Sequence, residues 1–256
     1  MQTIALVRLP SPAIAHCELT HLARVPIDAG RVRAQHARYV AVLDELGARV
    51  EWLPPAPQLA DAVFVEDTAL VLPEVAVLAR PGALSRQPEV ASVEPALGAH
   101  RPLRRILAPA CLEGGDVLRI GRRILVGISS RTNAAGVAQL RAAVAEFGYE
   151  VCAIEVGGAL HLKSACTLVS TGRVLANLDH IGRAGLGNVT VIAVDRQEPR
   201  AANTLTIGGV TLVSASSPRT EAILSAAGIR TRSIDVSELE KAESGLTCMS
   251  LIVAPS

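Results

Sequence analysis

Apolar positions along the chain follow two alternating rhythms. From Arg31 to Leu46 the apolar or semi-apolar groups Val32, His36, Tyr39, Val40, Leu43 and Leu46 recur at the 3.6-residue period of an amphipathic helix. Gly47 predicts its end, and Arg49–Leu53 then reads as a strand. Thr132 to Phe147 repeats the plan, with Val137, Leu140, Val144 and Phe147 on one face, Gly148 as the stop and Val151–Ile154 as the strand. Ser217 to Ala227, Gly228 and Thr231–Val236 give helix, glycine and strand a third time.

Between these units lies a shorter pattern of polar opener, apolar strand, tight turn and second apolar strand. Glu66-Asp67-Thr68 opens Ala69–Leu72, which turns at Pro73-Glu74 into Val75–Leu78. Glu113-Gly114-Gly115-Asp116 opens Val117-Leu118, which turns at Gly121-Arg122 into Ile124–Val126. His161 to Ser164 opens Cys166–Val169, turning at Thr171-Gly172 into Val174–Ala176, and Asn203 opens Thr204–Ile207, turning at Gly208-Gly209 into Val210–Val213. Cys248 opens Ser250–Val253, for which the N-terminal strand Thr3–Val7 is the available partner.

The openers stand 42 to 48 residues apart, a period that marks a repeat architecture. The expectation is an α/β protein: a five-fold pseudosymmetric α/β propeller of ββαβ-type repeats, N- and C-terminal strands closing the ring, in a single catalytic domain spanning 1–256. A doubly wound α/β sheet is the alternative. The tight turns, which make neighbouring strands antiparallel, and the lack of a G-x-G-x-x-G after a strand argue against it.

Composition narrows the function. Half the residues are apolar but only 2% are aromatic, so Ala, Val, Leu and Ile must build the core. A net charge of +1, with no basic cluster interleaved with aromatics, gives nucleic-acid binding no electrostatic support. No apolar run approaches the roughly 18 residues of a membrane span, and Met1 to Arg8 lacks the basic start and apolar length of a signal peptide. The five cysteines are widely spaced without a C-x-x-C, against both a disulfide framework and a structural zinc site. A reduced, cytoplasmic protein is expected.

In a radial assembly the openers Glu66/Asp67, Glu113, His161, Asn203 and Cys248 point to one place. Taken singly, each reads equally well as a strand-end cap, a core histidine or a buried thiol; in register they suggest chemistry. Cys248 has the nucleophile's chemistry once it is a thiolate. His161 can give and take a proton, and Glu113 can orient it. Asp61, Glu66 and Asp67 crowd acids into seven positions beside Val63-Phe64-Val65. Buried together they repel unless a cation such as a guanidinium neutralises them. Arg86 and Arg131 are either solvated loop residues or a fork for a carboxylate. The set suggests attack on an arginine-like group.

The segments Phe64-Val65-Glu66-Asp67-Thr68, Glu113-Gly114-Gly115-Asp116-Val117, Arg131-Thr132-Asn133, Leu160-His161-Leu162-Lys163-Ser164 and Leu246-Thr247-Cys248-Met249-Ser250 resemble, in matching order, the dimethylarginine dimethylaminohydrolases. These belong to the guanidine-modifying, amidinotransferase-like superfamily of penteins. The resemblance implies hydrolysis of asymmetric dimethylarginine or monomethylarginine to citrulline and dimethylamine or methylamine, through a thiouronium on the cysteine. It implies Cys248 as nucleophile, His161 as general acid/base and Glu113 beside it. Asp67 and Glu66 would hold the guanidinium, Arg86 and Arg131 the α-carboxylate, and Asp61 with the Leu19 backbone the α-amino end. The Ala242 backbone would line the pocket. No metal or organic cofactor is implied, the partner is a small molecule, and a homodimer is left open.

Two departures touch pocket access and selectivity. Cys17-Glu18 stands in a lid near residues 14–22, and Glu243-Ser244 stands where an Asp-Gly pair is more familiar. Rival readings are arginine deimination, amidino transfer and, from another class, a non-catalytic propeller that binds a partner.

Overall fold

Strands of three to six residues build this protein, too short to be stable except as sheets packed on both faces. The computed structural model describes residues 2–255. In chain order the strands are β1 (Ile4–Val7), β2 (Arg49–Trp52), β3 (Ala69–Val71), β4 (Ala76–Leu78), β5 (Leu103–Arg105), β6 (Val117–Ile120), β7 (Arg123–Ile128), β8 (Glu150–Glu155), β9 (Cys166–Ser170), β10 (Arg173–Ala176), β11 (Thr190–Ala193), β12 (Leu205–Ile207), β13 (Val210–Ser214), β14 (Thr231–Ile234) and β15 (Leu251–Val253). They form five three-stranded sheets, β15-β1-β2, β3-β4-β5, β6-β7-β8, β9-β10-β11 and β12-β13-β14. In every sheet the middle strand pairs antiparallel with one neighbour and parallel with the other. The antiparallel pairs of the last four sheets are tight hairpins; β1 instead takes β15 from the far end of the chain, with Ile4 opposite Val253.

A parallel partner demands a crossover, and the helices supply it. They are α1 (Ala29–Glu45), α2 (Glu94–Gly98), α3 (Ala134–Val144), α4 (Leu162–Ala165), α5 (Pro218–Ala226) and α6 (Ser237–Glu240). The three helices expected from periodicity are α1, α3 and α5. Asp28 starts α1 by accepting from the Gly30 and Arg31 amides, and Asn133 starts α3 by accepting from Gly136. The pattern did not reveal β5 and β11. Their crossovers are a 3-10 stretch over Leu84–Ser92 that contains Pro88, followed by the one-turn α2, and a 3-10 turn over Arg183–Leu186, so no 3.6-residue period announces them.

The middle strands are buried on both faces, and alternate residues enter different cores. Ile124 and Val126 of β7 pack with Val77 of β4, whereas Leu125 packs with Val174 of β10. Val213 shares a core with Leu175, while Leu212 shares one with Val7, Tyr39 and Leu43. Leu6 packs with Leu78. The polar openers occupy short turns, bends or irregular residues ahead of β3, β6, β9, β12 and β15 rather than the strands themselves. Among the described residues, no helix is long and apolar enough to cross a membrane.

Candidate active site

Cys248 sits on a loop pinned from several directions. The Tyr39 hydroxyl, projecting from buried α1, donates to the Leu246 carbonyl (2.9 Å) and shares a 2.7 Å bond with Ser250 Oγ. Asn203 accepts from the Thr247 amide (2.9 Å) and donates to its hydroxyl (3.2 Å). Asn203 therefore braces the loop and does not line the cleft. The Glu66 amide donates to the Cys248 carbonyl (3.1 Å), and the Gly245 amide meets Cys248 Sγ at 3.3 Å. Main chain and thiol alike are held in place.

His161 caps α4, and its Nε2 lies 2.7 Å from Glu113 Oε2 while its Nδ1 lies 3.9 Å from Asp67 Oδ1. Asp116 ties this turn down by accepting from the Leu162 amide (2.9 Å) and the Ser129 hydroxyl (2.6 Å). The glycine pair before Asp116 is a packing requirement as well as a turn. A Cβ on Gly115 would fall 2.6 Å from His161 Nδ1, and one on Gly114 would fall 2.0 Å from the Glu66 carbonyl oxygen.

The two arginines differ in what they hold. Arg86 donates to Asp67 Oδ2 (2.6 Å), to both oxygens of Glu89 (3.1 and 3.0 Å) and to the Phe64 carbonyl (3.0 Å). Arg131 lies 3.7 Å from Glu113 Oε1 and donates to Thr20 Oγ1 (3.0 Å). Asp61 accepts from the Glu18 amide at 3.1 and 3.2 Å.

Burial and charge set the protonation states. Burial pushes the His161 pKa down, but Asp67, Asp116 and Glu113 together lift it to about 9. Asp67 is the reverse case: burial would raise it, and His161 and Arg86 hold it below the usual carboxylate range. Burial, then Glu66 and Asp67, push the Cys248 thiol up to about 12. Burial lifts Glu89 to about 7 although Arg86 opposes it. At neutral pH these shifts favour a neutral thiol, an imidazolium and an ionised Asp67. The thiolate awaits added positive charge.

The cleft is lined by Glu18, Asp61, Phe64, Asp67, Arg86, Arg131, Leu160, His161, Ala242, Glu243, Ser244 and Cys248, around a free volume of only about 20 Å3. That is room for little more than one water, so a ligand enters only when part of the wall moves. Asp61, Asp67, Arg86, Arg131, His161, Ala242 and Cys248 are thus together, with Glu113 buried behind the histidine. Leu19 packs partly buried against the core and is not among the lining residues, though Glu18 is. Glu66 turns away: Lys163 Nζ (2.5 Å) and the Thr247 hydroxyl (2.5 Å) occupy its two oxygens, and it faces a separate cavity of about 470 Å3. Asp67, Glu113 and His161 bring donor atoms within 4.8 Å of one another, a set suited to a small cation. The Arg86 and Arg131 guanidiniums already stand against those carboxylates.

Several contributors escaped the sequence reading. The one-turn spacing of Arg86 and Glu89 was the available sign of their pair. Asp116 and Lys163 lay inside quoted motifs without a role, and Tyr39 read only as one apolar position of a helix.

Five small α/β sheets thus support a cleft that brings a cysteine, a histidine and carboxylates together. The N-terminal domain of ArgZ, an arginine dihydrolase from cyanobacteria, shares the fold at TM-score 0.90 and 19% identity, over 100% of this chain and 98% of that one. A family model described as arginine deiminase matches residues 84–178. The N(G),N(G)-dimethylarginine dimethylaminohydrolase of Streptomyces coelicolor is 40% identical over 251 residues, 96% of this chain and 95% of the relative. The enzyme of the same description from Pseudomonas aeruginosa is 30% identical over 226 residues, 88% and 89% of the two chains. A solved Pseudomonas aeruginosa structure, a cysteine-to-serine mutant complexed with citrulline, superposes with TM-score 0.94 at 29% identity over 98% of this chain and 99% of that one. The chain belongs to the dimethylarginine dimethylaminohydrolase family.

Proposed function

We propose that this protein hydrolyses Nω-methylated L-arginine, as asymmetric dimethylarginine or monomethylarginine, to citrulline and dimethylamine or methylamine. The observation that carries the reading is the meeting of buried Cys248, buried His161 and the Asp61 and Asp67 carboxylates in one cleft, with Glu113 Oε2 2.7 Å from the histidine. Such a site is inert until a cation arrives, and a guanidinium supplies one beside Asp67. The Cys248 thiol then loses its proton to solvent and the thiolate attacks the guanidinium carbon, and the C–S bond replaces the bond to the methylated amine. His161 hands its proton to that departing amine, held in orientation by Glu113. The remaining S-alkylthiouronium is a cation that the same carboxylates stabilise. Neutral His161 then takes a proton from water and hydroxide adds to the carbon; as the C–S bond breaks, the hydroxyl proton passes to the departing sulfur, giving citrulline and restoring the thiol.

Arg131, with its single hydroxyl partner on Thr20, is the readier hold for the α-carboxylate; Arg86 contributes its charge and its grip on Asp67. Asp61 takes the α-ammonium, with the Leu19 backbone beside it, and the Ala242 backbone forms the wall near the nucleophile. Glu66 acts from behind, bracing Thr247 and hence the Cys248 loop. We place the protein in a reducing, cytoplasmic setting, in keeping with its five free cysteines.

The five sheets are read as one propeller domain over 1–256. Each of the five cores is shared by two sheets consecutive in the chain, with the fifth sheet packed on the first, and the β1–β15 pair acts as the clasp.

The arginine deiminase match over residues 84–178 favours one second reading, deimination of unmethylated arginine. Incubation with dimethylarginine, arginine and agmatine, measuring ureido product, separates the two, with Cys248→Ser as the blank. Product from arginine but none from dimethylarginine would overturn the assignment.

A further inference from the structure

Glu243 is the single non-glycine with positive φ (56°) among the described residues. The left-handed region is disfavoured for a side chain of this kind, and such an outlier points toward a function that holds it there. Its carboxylate reaches across the cleft to three consecutive main-chain amides. Thr20 donates to Oε2 (2.9 Å), while His21 (2.5 Å) and Leu22 both donate to Oε1.

No side chain from residue 18 to residue 26 is buried, so apolar packing does little to hold this segment over the cleft. Polar contacts hold it instead. The Glu18 amide is on Asp61, the Glu18 carboxylate meets the Ser85 hydroxyl, and the Thr20 hydroxyl is on Arg131. Arg24 clamps the base through the Ala15 and Cys17 carbonyls, at 2.6 Å each. Under the proposed function, an entering amino acid competes for Asp61 and Arg131. Of the contacts made by residues 20–22, the three amides on Glu243 are those that its α-carboxylate and α-amino groups do not displace.

We infer that Glu243 is a positioning residue, a carboxylate latch that keeps residues 20–22 docked while Asp61 and Arg131 exchange their lid partners for the substrate's α-amino and α-carboxylate groups. Its place in the left-handed region aims the side chain back at the lid. The inference rests on the proposed substrate for its catalytic consequence, not for the latch itself.

The test uses the full chain with Glu243→Gly and Glu243→Gln. Glycine removes the carboxylate and suits the positive φ, so the melting temperature holds or rises. Exchange of the Thr20, His21 and Leu22 amides quickens by about tenfold or more, while helical amides such as Leu43 are unchanged. KM for dimethylarginine rises by about tenfold with kcat within about twofold. Gln, which keeps acceptor oxygen but not charge, recovers part of both effects. Unchanged amide exchange in Glu243→Gly overturns the latch, and a lower melting temperature assigns Glu243 a structural role instead. Faster exchange with an unchanged KM overturns its positioning role. Amide exchange needs no turnover, so absence of dimethylarginine hydrolysis refutes the proposed function while leaving the latch to stand or fall by exchange.

Discussion

Gly115→Ala tests the packing of His161, the proposed general acid/base, most directly. The added methyl would sit 2.6 Å from His161 Nδ1 and 2.7 Å from Asp67 Oδ1, where ordinary contact begins near 3.4 Å. Something must retreat by most of an ångström. The ring is tethered to Glu113 at 2.7 Å, and Asp67 is tethered to Arg86 at 2.6 Å and to the Gly115 amide at 2.9 Å. Neither neighbour is the loose end of a flexible side chain. Overpacking of this kind costs about 1–3 kcal/mol of stability, and a catalytic group displaced by about 1 Å loses about 100-fold in rate. The assay is citrulline release from dimethylarginine beside a thermal melt, with Gly182→Ala as control because nothing lies within 4 Å of its added methyl. The expected result is kcat down by about 100-fold, a modestly lower melting temperature and an unaffected control. A Gly115→Ala enzyme that melts like the parent and turns over within about threefold of it would refute the packing argument.

His161 gives a pH signature of definite sign. Its folded pKa of about 9 lies above its ordinary 6.5, so its contribution to stability is complete below 6.5 and is lost as pH rises through about 9. Denaturant titrations across that window should show falling stability, less steep in His161→Gln; a rise attributable to the histidine would contradict the assignment. kcat/KM should fall above pH about 9 as the general acid loses its proton. Tyr39→Phe strips the hydroxyl from the Leu246 carbonyl and Ser250, and the buried unpaired groups should cost about 1–3 kcal/mol in urea denaturation, with kcat reduced because the Cys248 loop loosens. A cationic haloacetamidine should alkylate Cys248 ahead of Cys152 and Cys166, whereas neutral iodoacetamide should prefer the half-exposed Cys111 and Cys152; peptide mass mapping reads both, and indiscriminate labelling by the cation would count against a carboxylate-lined cleft.

What the amino-acid pattern revealed, and what it hid, follows from the range of the forces involved. Helices α1, α3 and α5 bury one face each and so carry a period; β5 and β11 follow crossovers made of 3-10 turns and carry none. The recurring openers were visible because each polar group interrupts an apolar strand pair at a regular interval. Their division of labour was not. Asn203 and Glu66 have the same periodic signature as His161 and Cys248, yet one braces Thr247 and the other is consumed by Lys163 and Thr247. Which way a side chain turns at a strand mouth depends on partners 44 to 181 residues away. The same holds for Glu243, whose three amide donors lie more than 220 residues earlier in the chain. Sequence singled it out as a departure, and only the fold shows what it touches.

The placement of charge explains why one thiol of five becomes the candidate nucleophile. Cys166 is as strongly shifted as Cys248, to about 12, but burial alone accounts for it, with no carboxylate or histidine contributing. A cation brought to Cys166 would meet only the apolar surroundings of Leu125, Leu162 and Val174, so nothing there compensates its desolvation. At Cys248 part of the upward shift comes from Glu66 and Asp67, and that part is reversible because a guanidinium beside Asp67 offsets it. The cleft wall sets the carboxyl groups of Glu18, Asp61, Asp67 and Glu243 against Arg86, Arg131 and the His161 ring, leaving it short of positive charge. Burial is the larger cause of the raised thiol pKa, and under the proposed function the carboxylate share is the part that an arriving guanidinium offsets.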